Sequence, residues 1–279
     1  MERPLVWITG AGGLIGSYLA RSAPPVWRAR PLARGDLDLL EFTALRRLFE
    51  KEKPAAIVHA AAISKNPACD ADPALAARVN VQVPINLCAM AEDIPFVLLS
   101  TDLVFDGRQG NYSETDQPNP LSVYAETKVR AERIVLNNPK HSVIRTSLNA
   151  GHSPTGDRAF NEEMRRAFAL GKEMRLFVDE FRCPIPAEIT TRAIWEIIGQ
   201  PGLFHLCGPE KLSRYEIGQL IAANHPELSP KIVPGTLRDY KGSPRSPDTS
   251  MNCAKIQAKL SFQIPKFSEW VRAQAPGSL

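Results

Sequence analysis

The sequence predicts an α/β protein in which a Rossmann-type, doubly wound parallel sheet carries a smaller, discontinuous C-terminal lobe. Three observations support this prediction. The apolar run from Leu5 to Thr9 leads directly into a glycine-rich turn, strand-like and helix-like segments alternate up to about residue 150, and the rhythm changes beyond that point. Such alternation is typical of parallel sheets, which bind ligands at the carboxyl ends of their strands.

The glycine-rich turn after the first strand has the spacing G-x-x-G-x-x-G, with glycines at Gly10, Gly13 and Gly16. Glycines at such positions permit a tight turn, close approach of the backbone to a pyrophosphate and close packing of the next helix on the sheet. Free N–H groups from Gly13 to Ile15 would hold the anion. A glycine-rich loop alone is often only a turn, but a strand before it and the amphipathic segment from Leu14 to Ala20 after it favour dinucleotide binding.

The later elements follow the same order of strand and helix. The segment starting at Pro73 begins with a proline suited to the first turn of a helix. We divide the chain into an NAD(P)-binding domain at 1–150, to which a helix and strand at about 187–208 return, and a substrate-binding lobe at 151–186 and 209–279. Strands are predicted at 29–33, 55–62, 96–100, 142–147, 173–178 and 203–206, helices at 41–50, 73–92, 121–137, 161–170, 189–198 and 214–223, and a short helical pair near the C-terminus.

Two short motifs supply reactive groups. Ser100-Thr101-Asp102 ends a predicted strand, and Tyr124 and Lys128 follow in a predicted helix. Because four residues are slightly more than one helical turn, the phenol and the ammonium project from the same face. A neighbouring cation favours the phenolate of a tyrosine, whose usual pKa is about 10. The spacing therefore predicts a tyrosine with a lowered pKa that hands a proton to a developing alkoxide. Taken alone, the pair could equally lie on a helix surface.

Composition excludes several classes of function. At 279 residues and 44% hydrophobic residues the chain can bury a substantial core, and its net charge of +4 is too scattered for a nucleic-acid track. The five cysteines are far apart and form no C-x-x-C, which predicts reduced thiols in a cytoplasmic protein. No histidine spacing suggests a catalytic metal. The first strand starts so close to Met1 that we expect no signal peptide, and no apolar stretch is long enough to span a membrane.

Taken together, these motifs resemble an extended short-chain dehydrogenase/reductase, and more closely the dTDP-4-dehydrorhamnose reductase family. The resemblance covers nearly the whole chain, and Ser100 to Gly107 is its most specific part. Its other stretches are 9–16, 36–39, 59–62, 79–80, 124–132 and 145–147, with fainter ones at 183–184, 204–208 and 243–247.

The resemblance implies a role for each matching residue. Tyr124 would donate a proton, while Lys128 would hold the nicotinamide ribose and lower the phenol's pKa. Thr101 would hydrogen-bond the substrate carbonyl and Asp102 would contact the substrate. The remaining matches would bind the cofactor: Gly13, Leu14 and Ile15 at the pyrophosphate, Asp38 and Leu39 at the adenine, and Ala60, Ala61 and Ala62 as the wall beside it. Alternatives are that Asp38 caps a helix, that the alanines are plain core and that Asp102 only orients a loop.

The end of the second strand bears on the choice of cofactor. A carboxylate there favours NAD, whereas an arginine accommodates the 2'-phosphate of NADP. This chain has Ala33 where the family often has Asp, followed by Arg34, with Arg30 also in the strand. The sequence therefore predicts NADPH, with NADH as the alternative and with Arg34 as a solvated loop residue if that role is absent.

The substrate is defined less closely. Many relatives carry a sugar-contacting aromatic where this chain has Leu148, which argues against dTDP-4-dehydrorhamnose itself. Arg182 is a candidate for pairing with a diphosphate, or else an ordinary ion-pair partner. We expect a reductase acting on a keto nucleotide sugar, and a homodimer is left open. Alternatives are a nucleotide-sugar epimerase, a small-carbonyl reductase, or a non-catalytic regulatory subunit resembling the β subunit of methionine adenosyltransferase. A dehydratase is disfavoured because Leu103 stands where it needs a glutamate.

Overall fold

The computed structural model describes residues 2–279. Short turns of 3₁₀ helix lie at Asp102–Val104, Pro226–Leu228 and Leu237–Asp239. The strands and α-helices of these residues are, in chain order, β1 (Leu5–Thr9), α1 (Leu14–Arg21), β2 (Arg28–Leu32), α2 (Phe42–Glu52), β3 (Ala56–His59), α3 (Asn66–Ala71), α4 (Pro73–Ala77), α5 (Val83–Met90), β4 (Phe96–Thr101), α6 (Val123–Val135), β5 (Ser142–Thr146), β6 (Asn149–Ala150), α7 (Phe160–Ala169), β7 (Glu173–Phe177), β8 (Phe181–Arg182), β9 (Ile185–Pro186), α8 (Ala187–Ile197), β10 (Gly202–Leu206), β11 (Leu212–Ser213), α9 (Arg214–Asn224), β12 (Lys231–Gly235), α10 (Ala254–Gln257) and α11 (Phe267–Ala273).

Six parallel strands form the central sheet in the order β2-β1-β3-β4-β5-β10. Alternate residues of a strand point to opposite faces, and β1 shows this directly. Val6 and Ile8 pack in an apolar cluster with Ile194 of α8, whereas Trp7 packs in a second cluster with Leu87 of α5. Helices therefore cover both faces of the sheet, which confirms the predicted doubly wound fold.

The order of the strands reverses between β1 and β3. The chain runs from β1 outward to β2 on one side and from β3 to β4 and β5 on the other. Connections that leave neighbouring strands in opposite directions open a crevice beyond their carboxyl ends, where ligands of such folds bind. The loops after Thr9 and His59 border this crevice.

Most predicted elements are present, with small differences in their ends. The helix predicted at 73–92 consists of α4, a π-helical turn at Arg78–Gln82 and α5. The strand predicted at 55–62 ends at His59, because β3 is paired with β1 and β4 only over Ala56–His59. Sequence analysis missed α3, a helix of six residues with Pro67 in its first turn.

The smaller lobe has a core of its own. Its apolar cluster includes Met164, Phe168, Ile217 and Phe267, and three two-stranded ladders pair β12 with β7, β11 with β8 and β6 with β9. Residues near α10 do not belong to this core. Ile256 and Ile264 pack instead in the cluster that covers one face of the main sheet.

Candidate active site

The glycine loop lies against the loop that follows β3. Gly10 has a φ of +71°, and a Cβ atom on it would lie 2.7 Å from the backbone nitrogen of Ala61. A Cβ atom on Gly16 would overlap the carbonyl oxygen of Gly10, which also accepts the Gly13 N–H at 2.9 Å. The backbone segments thus touch without room for side chains, which is the physical reason for glycine at Gly10 and Gly16.

The first turn of α1 can bind an anion. The helix begins at Leu14, and its N-cap, Gly13, has no side chain to accept the free N–H groups of the first turn. Such uncapped N–H groups carry partial positive charge and suit a pyrophosphate. The residues predicted for this role, Gly13, Leu14 and Ile15, therefore stand at the start of one helix facing the crevice.

The opposite wall of the crevice is the segment after β3. Ala60 and Ala61 are half-buried and Ala62 is exposed. Ala60 also packs against the apolar cluster that covers one face of the sheet, so the plain-core alternative holds in part for Ala60. The hydroxyl of Thr9 lies 2.7 Å from Nδ1 of His59 and accepts the N–H of Ala61 at 3.4 Å. These bonds tie the ends of β1 and β3 together. Burial, assisted by the charge of Lys128, lowers the pKa of His59 to about 3, so this imidazole is neutral at physiological pH.

The turn after β2 carries Arg34, the residue predicted to favour NADPH over NADH. Arg34 is exposed in the turn after the strand and has no ion pair among the described residues, whereas Arg30 pairs with Glu52 at 3.3 Å. Nearby, the carboxylate of Asp36 accepts the N–H of Ala33 at 2.8 Å. Arg34 is therefore the guanidinium with the freedom to meet a 2'-phosphate.

The residues predicted to contact the adenine lie in the next turn. Asp38 is exposed, and its carboxylate accepts the N–H of Leu40 at 3.0 Å. This bond closes the turn before α2, whose N-cap is Glu41, so the alternative in which Asp38 caps the helix is wrong. Leu39 packs partly buried against the cluster that contains Trp7.

The proposed reactive groups meet at α6. The helix begins after Ser122, whose hydroxyl accepts the N–H of Ala125 at 3.3 Å. Tyr124 and Lys128 are both buried in its first two turns, and Thr101 ends β4 beside the phenol. Lys128 has no hydrogen-bond or ion-pair partner within residues 2–279, although its charge acts on His59 at the end of β3. The structure thus brings hydroxyl, phenol and ammonium to the crevice beside the glycine loop.

The pKa of the phenol differs from the sequence prediction. Burial and the carboxylate of Asp102 raise the pKa of Tyr124 above its ordinary value, and the neighbouring Thr101 hydroxyl only partly opposes them. Burial lowers the pKa of Lys128 to about 8. The prediction that Lys128 lowers the tyrosine pKa is therefore wrong for this structure, because desolvation of the phenolate dominates. A neutral phenol is in the correct protonation state to donate a proton.

Asp102 and Arg182 form a buried ion pair. The guanidinium donates from Nε at 2.6 Å and from Nη2 at 2.5 Å to the two carboxylate oxygens of Asp102. The hydroxyls of Ser147 and Thr249 donate to the same carboxylate at 2.7 Å and 3.2 Å. Asp102 is fully buried, so in this structure it holds the two lobes together, and Arg182 takes the ion-pair role given as the alternative to diphosphate binding.

A polar cleft of about 70 Å³ opens between α6 and the smaller lobe. Arg182, Arg245 and Glu180 line it, and Arg245 donates two hydrogen bonds to Glu180 at 2.7 Å and 2.8 Å. The nearby Arg214 has no ion pair among the described residues, and its buried Nη1 has no hydrogen-bond partner. Leu148, by contrast, packs against the core of the smaller lobe.

Sequence analysis missed a buried network behind α6. Glu132 accepts hydrogen bonds from Ser100 at 2.5 Å and from Nη2 of Arg145 at 2.7 Å, and thereby joins α6 to β4 and β5. Asn80, in the π-helical turn, bonds both backbone groups of Ile63 and donates to Thr127 of α6 at 3.0 Å. One sequence signal could have revealed this network. Glu132 lies one helical turn after Lys128, so both side chains project from the same face of α6.

Within residues 2–279, no group of three His, Cys, Asp or Glu side chains could hold a metal ion. No helix in the described part of the chain has the length and apolar character needed to cross a bilayer.

Comparisons with known proteins bear on the family and the fold. A family model described as RmlD substrate binding domain matches residues 4–275. Methionine adenosyltransferase 2 subunit beta of Xenopus laevis is 29% identical over 95% of this chain and 85% of that protein. The dTDP-4-dehydrorhamnose reductase of Sinorhizobium fredii is 27% identical over 95% of this chain and 94% of that protein. The structure of dTDP-4-dehydrorhamnose reductase from Bacillus anthracis in complex with NADP shares the fold with a TM-score of 0.88, at 22% identity over 97% of this chain and 98% of that chain.

Proposed function

The chain belongs to the RmlD substrate binding domain family, and we propose that it is an NADPH-dependent reductase that acts on the keto group of a nucleotide sugar. The observation that carries this proposal is the meeting of Tyr124, Lys128 and Thr101 at the crevice beside an uncapped, glycine-lined helix N-terminus. A purely structural protein has no chemical need for a buried ammonium without a partner next to a buried phenol.

Each of these side chains has a task in the proposed reaction. When bound, NADPH supplies the hydride for the substrate carbonyl carbon. Thr101 donates a hydrogen bond to the carbonyl oxygen, and Tyr124 donates its phenolic proton as that oxygen becomes an alkoxide. Its raised pKa keeps the phenol protonated until then. Lys128 holds the nicotinamide ribose. Positioned proton transfer of this kind accelerates reactions by roughly 10² to 10⁴.

Preference for NADPH follows from the end of β2. Arg34 is an exposed guanidinium without an ion pair among the described residues, and it can form a charge-assisted bond to the 2'-phosphate.

We also propose that 151–186 and 209–279 form the substrate-binding lobe. The support for this assignment is the polar cleft. Arg182 and Arg245 line that cleft, each paired with a buried carboxylate, and the nearby Arg214 has no ion pair among the described residues. The three guanidiniums exceed the two carboxylates by one positive charge, which favours an anionic substrate such as a nucleoside diphosphate sugar.

A second candidate function has a specific observation behind it. Methionine adenosyltransferase 2 subunit beta is as similar to this chain as the reductases are, so a regulatory protein that retains the cofactor crevice fits the comparisons too. Such a protein would bind NADPH without turning it over. An epimerase or a reductase of small carbonyl compounds would use the same Tyr124 and Lys128 but a different cleft.

The experiment is NADPH oxidation by the purified protein against a panel of keto nucleotide sugars, simple ketones and aldehydes. We expect turnover with a keto nucleotide sugar, and we expect Tyr124→Phe to lose it while binding NADPH with nearly unchanged affinity. Turnover of simple ketones alone would contradict the nucleotide-sugar assignment. Tight NADPH binding with no turnover of any substrate would favour the regulatory function, and an active Tyr124→Phe variant would refute the role of the phenol.

A further inference from the structure

Three of the five cysteines meet in space, although they are far apart in sequence. Cys183 lies between β8 and β9, Cys207 directly follows β10, and Cys253 directly precedes α10. Cys183 and Cys207 belong to one apolar cluster and Cys253 packs against it. The thiol of Cys207 interacts with both of the other thiols, so the three form a row with Cys207 at its centre. Cys69 and Cys88 belong to other apolar clusters.

The three thiols differ in their access to solvent. Cys207 is fully buried, Cys183 is 4% exposed, and Cys253 is half-buried at the surface end of the row. Val104, Phe105 and Met251 surround them, and the Cys207 thiol also lies 3.3 Å from the carbonyl oxygen of Met251. Because Cys253 is the most exposed of the three residues, a water-soluble oxidant reaches it first.

The pKa values of the three thiols also differ. Among the described residues no three ligands are placed to hold a metal ion, although thiolates are good ligands for soft metals. The interaction with the Cys207 thiol lowers the pKa of both Cys183 and Cys253, whereas the pKa of Cys207 is raised. A thiol with a lowered pKa and partial exposure is the one that peroxides oxidise.

We propose that Cys253 and Cys207 form a reversible disulfide when the protein meets a peroxide, with Cys253 oxidised first and Cys207 resolving it. The Cys253 thiolate attacks one oxygen of hydrogen peroxide, the O–O bond breaks, and the protein keeps a sulfenic acid while the other oxygen leaves as water after protonation. The Cys207 sulfur then attacks the Cys253 sulfur, the S–S bond forms and the S–O bond breaks. The departing hydroxyl takes the Cys207 proton and leaves as a second water, and a dithiol reverses the link.

The test is peptide mapping after oxidation. Fully reduced protein is treated with a small excess of hydrogen peroxide, alkylated without reductant, digested with trypsin and analysed by mass spectrometry. Lysines and arginines separate all five cysteines, so that each lies in its own tryptic peptide. We expect one linked pair, the peptides of Cys207 and Cys253, which dithiothreitol separates, with Cys69 and Cys88 recovered as alkylated thiols.

Matched variants identify the order of events. Cys253→Ser should abolish the linked pair, whereas Cys88→Ser should leave its yield unchanged. Cys207→Ser should stop the reaction at sulfenic acid on Cys253, which a dimedone label detects. A Cys183–Cys207 link in place of the expected pair, random links that include Cys69 or Cys88, or a fully reduced row after treatment would each overturn the proposal. None of these readouts depends on the reductase activity.

Discussion

The two walls of the crevice are built in different ways. The wall that faces the proposed cofactor consists of backbone: the Gly10 loop, the start of α1 and the alanines after β3 touch without intervening side chains. The wall that faces the cleft consists of buried side-chain ion pairs, Asp102 with Arg182 and Glu180 with Arg245. The first wall leaves space for a ligand because its backbone segments carry no side chains there. The second wall is held together by charges that neutralise each other.

This difference determines what each wall tolerates. A backbone wall is sensitive to any added atom, but it contains no charge that a substitution could leave without a partner. An ion-pair wall accepts changes of shape more readily, yet removing one partner leaves a desolvated charge behind. Substitutions of similar size should therefore act through space at the cofactor wall and through charge at the cleft.

The largest effect is expected at the cleft, for Arg182→Met. Removing the guanidinium leaves the fully buried Asp102 without its counter-charge, and breaking such a pair costs about 3–5 kcal/mol. Urea denaturation should show that decrease in the free energy of unfolding. The matched control is Arg192→Met, which removes an exposed pair with Glu196 and should cost at most about 1 kcal/mol.

A second variant separates lost charge balance from lost packing. Adding Asp102→Asn to Arg182→Met removes the orphaned carboxylate and should recover part of the lost stability. Equal free energies of unfolding for Arg182→Met and Arg192→Met would show that the buried pair contributes no more than a surface one.

At the cofactor wall the sharpest test is Gly16→Ala. Its Cβ atom would overlap the carbonyl oxygen of Gly10, so the loop must shift. Overpacking of this kind costs about 1–3 kcal/mol of folding stability. Because the shifted loop also displaces the first turn of α1, NADPH affinity measured by fluorescence titration should fall. Gly12→Ala is the control, because a Cβ atom there meets nothing within 4 Å, and its affinity should stay close to that of the parent. Similar affinities for the two variants would contradict the backbone-wall interpretation.

The same difference explains how far the sequence could predict the structure. The fold and the cofactor wall depend on local patterns: Gly10, Gly13 and Gly16 follow a strand, and Tyr124 and Lys128 are one helical turn apart. Such spacings carry their geometry with them, and the predicted fold is confirmed. The roles assigned to these residues stay predictions.

Long-range pairing could not be predicted in the same way. Asp102 and Arg182 are 80 residues apart in sequence, and their meeting requires the smaller lobe to pack β8 against the end of β4. The predicted downward shift of the Tyr124 pKa was wrong for a related reason. Spacing reveals a neighbouring lysine, but the extent to which the fold removes a phenol from water depends on tertiary packing.

Arg34→Ala tests a charge that lies beside the backbone wall, in the turn after β2. If this guanidinium holds the 2'-phosphate, its loss should weaken NADPH binding about tenfold, or roughly 1.4 kcal/mol, and leave NADH binding unchanged. Arg30→Ala is the control, since Arg30 pairs with Glu52 and should not alter the ratio of the two affinities. A ratio unaffected by Arg34→Ala would remove the argument for NADPH selection at the end of β2.

The smallest expected effect is a pH dependence of NADPH binding. It tests whether the charge of Lys128 adds to the affinity that the backbone wall already provides. Burial lowers the pKa of Lys128 to about 8, so the side chain is a cation below that pH and becomes neutral above it. The interaction of its ammonium with the ribose hydroxyls and the nearby phosphates is therefore present at low pH and lost as the pH rises. Between pH 7 and pH 8 the protonated fraction falls about twofold, and NADPH affinity measured by calorimetry should fall by the same factor.

Lys128→Arg is the control for that profile, because a guanidinium stays charged throughout this range. Its affinity should not change between pH 7 and pH 8, even if the longer side chain binds the ribose less well overall. A decline of equal size in both proteins would assign the pH dependence to another group. An unchanging affinity in the parent protein would mean that the ammonium contributes little, and that the backbone wall alone determines how tightly the cofactor is held.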